Sequence, residues 1–170
     1  AVAYGLAGIG IEDTTGNPDA PIRDFDQAVE RVRSAVNAAK RRIVVTARTD
    51  NYLQGRPDLD DTIRRLTAFA EVGADVVYAP FPPDLASLEA IVAAVAPTPV
   101  NVLISPADQV LTVAELQAAG VKRISLGPAL YTNAMTALEQ AARALRAGDI
   151  ASATAGIGFD RVGELLTRAS

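Results

Sequence analysis

Two consecutive acids, Glu12 and Asp13, close the apolar run GIGIED, and the loop TTGNPDAPIRD follows at once. Further along, VVTARTD places Arg48, Thr49 and Asp50 where a second apolar run stops, PVNVLIS brings Asn101 and Ser105, and RISLGP brings Ser125 and Gly127. A carboxylate is the ligand a hard divalent cation takes, and a guanidinium grips a carboxylate through paired hydrogen bonds. Together they describe a site for a small anionic substrate held beside magnesium. Each residue also has a plainer role. Glu12 or Asp13 would serve as a cap for the following loop, Arg48 as the salt-bridge partner of Glu12 or Asp50, and Asn101 as a partner for backbone groups. Asp13 and Asp50 fit a structural place as well as a ligand-binding one.

What is missing narrows the chemistry further. The chain has no Cys and no His, so thiolate nucleophiles, imidazole bases, Ser-His-Asp triads and the usual zinc ligands are all excluded. Its two lysines, Lys40 and Lys122, fall at the end of a helical segment and before the last strand candidate, on the side of a parallel sheet away from ligands. That disfavours a Schiff-base mechanism. A net charge of −4 without a basic cluster gives no pull toward nucleic acid or anionic membranes. The longest apolar stretch, LEAIVAAVA, is too short to span a bilayer, and the sequence reads as cytoplasmic.

Positioning these residues requires the elements around them. Five short apolar runs, GIGIED, RIVVTART, DVVYAP, PVNVLIS and RISLGP, alternate with segments of helical period. In DFDQAVERVRSAVNAAK the apolar residues Phe25, Ala28, Val29, Val32 and Ala35 recur at helical spacing. Asp24, Asp58, Asp84 and Thr112 stand at helix starts, and Gly73 and Gly120 at helix ends. Strict alternation predicts a parallel sheet with right-handed crossovers. A (β/α)8 barrel uses roughly 31 residues per unit, so five units need about 155, close to the 170 present. The opening AVAYGLAG reads as the end of an amphipathic helix. ALYTNAMTALEQAARALRAG and FDRVGELLTRA read as two further helices, the second with a stripe of Phe159, Val162, Leu165 and Leu166. In such folds ligands meet the carboxyl ends of the strands, where Glu12, Arg48, Asn101 and Ser125 fall.

In this order and at these spacings, AGIGIEDTTG, VTARTDNYL, AEVGADVVYAPFPPDLASLEAIV and PVNVLI…TVAELQAAGVKRISLGPAL resemble the isocitrate lyase / phosphoenolpyruvate mutase superfamily. The resemblance covers essentially the whole chain. It implies α/β architecture, part of a (β/α)8 TIM-type barrel with strands four to eight present and the first three absent. Residues 1–170 are then a single domain, the C-terminal five-eighths of a barrel, in which 129–170 form C-terminal helices exchanged between subunits of a dimer or tetramer. It also implies that Glu12 binds Mg2+, that Arg48 holds a substrate carboxylate and that Asn101 lines the pocket. The loop from Thr14 to Arg23, with Thr14, Thr15, Gly16 and Asn17 at its head, is a candidate lid.

The implied activity is that of a lyase or hydrolase that cleaves or forms a C–C or C–P bond in a small 2-oxo or phosphono carboxylate through an enolate. The Cys-containing loop of the isocitrate lyases has no counterpart here, and YAPFPP stands where those lyases carry a Glu. The chain is thus nearer the mutases, phosphonopyruvate hydrolases and oxaloacetate-processing enzymes. The D-x-D acids that supply most of the family's metal site also have no counterpart. A non-catalytic 2-oxo-acid-binding protein, or a truncated inactive member of the family, is the alternative.

Overall fold

Several helices begin where the chain supplies its own side-chain cap. The structure, a computed structural model, describes residues 1–104 and 111–167, so Ser105 lies outside the described residues. Its elements are a 3-10 turn (Val2–Tyr4), β1 (Gly8–Glu12), α1 (Phe25–Ala39), β2 (Val44–Arg48), α2 (Leu59–Glu71), β3 (Val76–Tyr78), α3 (Leu85–Val95), β4 (Val100–Leu103), α4 (Val113–Ala118), β5 (Arg123–Ser125), α5 (Ala129–Arg146), α6 (Ile150–Ala153) and α7 (Phe159–Thr167). The Asp58 carboxylate accepts from the Asp61 amide and Asp84 from that of Ser87, while Thr112 and Glu115 form a reciprocal capping box. Asp24 occupies the cap position of α1 without a side-chain cap bond. Gly120 follows α4 at φ +86, a left-handed conformation that favours glycine. The opening segment forms only the three-residue turn, with Tyr4 exposed, where the sequence predicts the end of an amphipathic helix. The short helix α6, whose N-cap Asp149 accepts from the Ser152 amide, was not expected from the sequence.

All five strands pair in parallel in the order β1-β2-β3-β4-β5. A doubly wound sheet reverses its strand order at a switch point, whereas barrel strands run in sequence around the wall. The α/β barrel-type fold expected from the sequence is the one observed. One face of the sheet packs on the helices through Ala47, Val77, Ala79, Val100 and Val102 against Val32, Leu66, Phe69, Leu88, Ile91 and Leu116. The other face is concave. Arg123 on β5 donates from Nη2 to Thr46 Oγ1 on β2 at 3.0 Å, although three strand spacings of a flat sheet amount to about 14 Å.

The chain divides into two compact units, Ala1–Gly127 and Pro128–Ser170. The second contains α5, α6 and α7, none of which buries a residue. Leu130, Phe159 and Leu166 are exposed there. Among the described residues no helix is long and apolar enough to cross a membrane.

Candidate functional site

Alternation along the strands decides which side chains meet. Gly8, Gly10 and Glu12 of β1 face the same side as Val44, Thr46 and Arg48 of β2, and with Tyr78, Asn101, Arg123 and Ser125 they line a cleft of about 520 Å³ on the concave face. Strand register ties five of these residues into one rung. Glu12 pairs with Arg48, Arg48 with Tyr78, Tyr78 with Asn101, and Asn101 with Arg123. The small glycines of β1 leave one wall of the cleft open, and the polar ends of the other strands fill the rest.

Arg48 is held on three sides. Its Nη1 lies 3.1 Å from Glu12 Oε1, its Nε donates to the buried Asp50 carboxylate, and its guanidinium carbon sits 5.3 Å from the centre of the Tyr78 ring. Its Nη2 has no hydrogen-bond partner among the described residues. Burial pushes the Asp50 carboxyl above its ordinary range, against the pull of Arg48, and its Oδ2 is buried with no hydrogen-bond partner among the described residues. Burial likewise raises the Tyr78 phenol, with Arg48 opposing, so the phenol keeps its proton at neutral pH.

Asn101 is 2% exposed and held at both ends of its amide. Its Nδ2 donates to Ser125 Oγ at 3.0 Å, and its Oδ1 accepts from Arg123 Nε at 2.9 Å. The Ser125 hydroxyl in turn donates to the Val102 carbonyl at 3.1 Å.

Asp13, adjacent to Glu12 in sequence, belongs to the opposite side. It is 2% exposed and accepts from Thr49 Oγ1 at 2.7 Å and from the Asp50 amide at 2.9 Å. Arg65 of α2 approaches it at 3.4 Å and also donates to the Arg23 carbonyl at 3.0 Å. The second acid is therefore a buried clamp that fixes the end of β2 and the return of the following loop. That loop closes at its base through the Thr14 and Ile22 bridge and is tied internally by Thr15 Oγ1 to the Ala20 carbonyl at 2.6 Å. The head residues Thr14, Gly16 and Asn17 line a separate small cleft of about 250 Å³ with Gln54.

The structure thus brings Glu12, Arg48 and Asn101 into one cleft, with Ser125 beside them. Lys40 and Lys122 are exposed and outside it. Thr46, Tyr78 and Arg123 were not found by sequence reasoning. Period-two spacing was the available signal: Arg123 stands two residues before Ser125 and Thr46 two before Arg48, so each shares a face with a residue already singled out.

Comparison with known proteins gives this geometry a context. Residues 1–146 match the phosphoenolpyruvate phosphomutase family. The chain belongs to that family. It is 34% identical over 148 residues to an uncharacterised protein of Mycobacterium tuberculosis (strain H37Rv), covering 84% of this chain and 53% of that protein. A Burkholderia cenocepacia J2315 protein provisionally described as a lyase/mutase superposes with TM-score 0.91 at 41% identity, over 98% of this chain and 61% of that one. An oxaloacetate acetylhydrolase solved with the inhibitor 3,3-difluorooxalacetate superposes with TM-score 0.82 at 28% identity, over 98% and 60%. A further relative of similar fold is described as a 2,3-dimethylmalate lyase of the PEP mutase/isocitrate lyase superfamily. The chain spans about half the length of the curated relatives it matches.

The magnesium expected through Glu12 can be tested against the donor set. Among the described residues no three acidic side chains converge as a metal site. Among the described residues Glu12 is the one carboxylate lining the cleft, and Arg48 already pairs with it. These residues do not by themselves fit a complete magnesium site.

Proposed function

We propose that the protein is a lyase or hydrolase that cleaves or forms a C–C or C–P bond next to the carboxylate of a small 2-oxo or phosphono acid. The observation that carries this reading is the single rung of Glu12, Arg48, Tyr78, Asn101 and Arg123 across a concave sheet in a chain of this family. Relatives named for oxaloacetate and dimethylmalate chemistry, within the phosphoenolpyruvate phosphomutase family, support the substrate class. In this reading Arg48 takes the substrate carboxylate through Nη2, and Asn101 donates to an oxygen of the same or the neighbouring group. Breaking a bond beside a 2-oxo group leaves negative charge on an enolate oxygen, and donors fixed in advance stabilise that charge without reorganising.

Magnesium enters the proposal with Glu12 as one oxygen ligand, the remaining ligands lying outside these residues. The loop headed by Thr14, Thr15, Gly16 and Asn17 serves as a cover over the site. The exposed apolar faces of α5 and α7 are proposed to pack in a homo-oligomer, and light scattering that returned a monomer would refute that part.

The experiment is a turnover screen of 2-oxo and phosphono acids on the intact protein with Mg2+, followed by Glu12→Ala and Arg48→Ala. Losing the part-buried charged contact at Arg48 is expected to cost about 2 kcal/mol in kcat/KM, the lower end for a hydrogen-bonded charge pair. Full turnover in both variants would sink the proposal.

A further inference from the structure

Arg123 is the cation of the cleft that no carboxylate answers. Arg48 has Glu12 and Asp50, whereas Arg123 forms no ion pair among the described residues and spends its donors on two neutral oxygens, Asn101 Oδ1 at 2.9 Å and Thr46 Oγ1 at 3.0 Å. A guanidinium can only donate. Whatever atom of Asn101 faces Arg123 Nε must therefore be the amide oxygen, and the amide nitrogen must face the other way.

The far side of Asn101 does not impose this by itself. Ser125 accepts from Asn101 Nδ2 because its own proton goes to the Val102 carbonyl. A hydroxyl rotor can turn, however, and donate to an amide oxygen instead. Only the Arg123 contact is one-directional. The cross-cleft bond to Thr46, from β5 to β2, holds the guanidinium where it can impose that direction.

We infer that Arg123 is a positioning residue: it fixes the Asn101 amide so that Asn101 offers the cleft a hydrogen-bond donor, and the ligand atom recognised there is an acceptor such as a carboxylate or phosphonate oxygen. This rests on the reading above that Asn101 binds substrate. The Asn101 amide has two N–H groups. Ser125 takes one, and the second is the donor for the ligand. Were the amide reversed, its oxygen would face the ligand side and repel an anion.

The test uses the intact protein, nitrogen-15 NMR of the Asn101 side-chain amide, and oxalate with Mg2+ as the binding probe. Arg123→Leu is expected to shift the Asn101 amide signals and weaken oxalate about tenfold, the scale of one misdirected, part-buried hydrogen bond. Arg123→Lys, which keeps a donor within reach of Oδ1, is expected to restore most of both. Should Arg123→Leu fail to fold, Thr46→Val removes the far anchor and is expected to move the same signals in the same direction. Weakened oxalate with unmoved Asn101 signals overturns the inference, because the guanidinium would then act on the ligand directly. Unmoved signals with unchanged affinity overturn it too. A wild-type protein that ignores oxalate counts against the proposed function, and the amide signals alone then decide the role of Arg123.

Discussion

Replacing Asp13 by Asn tests whether the second acid is a structural clamp or part of a metal site. The change keeps shape and volume but turns one acceptor oxygen into a donor nitrogen. Three donors converge on Asp13: the Thr49 hydroxyl at 2.7 Å, the Asp50 amide at 2.9 Å and Arg65 Nη1 at 3.4 Å. Only the hydroxyl can reverse its role, so at least one of the other two is left facing a donor. A buried hydrogen bond to a charged group is worth about 1.5–3 kcal/mol, and breaking a buried ion pair costs about 3–5. Arg65 keeps a second partner, Asp61 at 2.7 Å, which places the expected loss near the lower figure, about 2–3 kcal/mol. Urea denaturation of the intact protein, with and without Mg2+, measures it. The loss should be the same in both conditions, because Asp13 is closed off from the cleft. A loss below about 0.5 kcal/mol, within the range of ordinary surface substitutions, or a gap that widens when Mg2+ is added, would refute the reasoning.

Two further outcomes follow from packing and charge. Burial opposes ionisation of Asp61, yet hydrogen bonds from Arg64, Arg65 and Asn51 outweigh it and hold its carboxyl well below the usual carboxylate range. Its stabilisation is then complete above the unfolded-state value near 4 and is lost as pH falls below it. Asp61→Asn should flatten that acid limb of the stability profile in urea melts run from neutral to acid pH. Phe69 is 0% exposed at the centre of the helix-facing core, and Phe69→Ala should cost about 3–5 kcal/mol. A loss under 1 kcal/mol in the same melts would mean that the core repacks around it.

Much of the fold was legible because its signals are local. Caps, helix-ending glycines and apolar periods mark Leu59–Glu71, Leu85–Val95 and Val113–Ala118 without reference to anything distant. The strand ends were legible for the same reason, which is how Glu12, Arg48 and Asn101 were singled out. Partners were not legible. Whether Arg48 binds a ligand or a neighbouring acid depends on distances across strands, and the structure shows that part of its guanidinium is committed to Glu12 and Asp50 while Nη2 has no partner among the described residues. Arg123 was passed over because a charge at the start of a strand resembles ordinary edge polarity. Its importance arises only when the sheet curls enough to bring it to Thr46.

The juxtaposition of Glu12 and Asp13 shows how one step along an extended chain divides binding from folding. The side chains of successive residues leave opposite faces of a strand. The Glu12 side chain, 49% exposed, reaches Arg48 in the cleft, while that of Asp13, 1% exposed, reaches Arg65 behind the sheet. Exchanging their lengths should therefore have opposite effects. Glu12→Asp shortens the reach to Arg48 and should weaken oxalate binding while leaving stability within about 0.5 kcal/mol of the parent. Asp13→Glu forces one methylene into a packed, fully bonded niche and should cost about 1–3 kcal/mol of stability. Binding should then fall as well, because Asp13 holds the Asp50 amide and Asp50 in turn orients Arg48. Stability losses of equal size in the two variants would show that the strand does not separate the two roles.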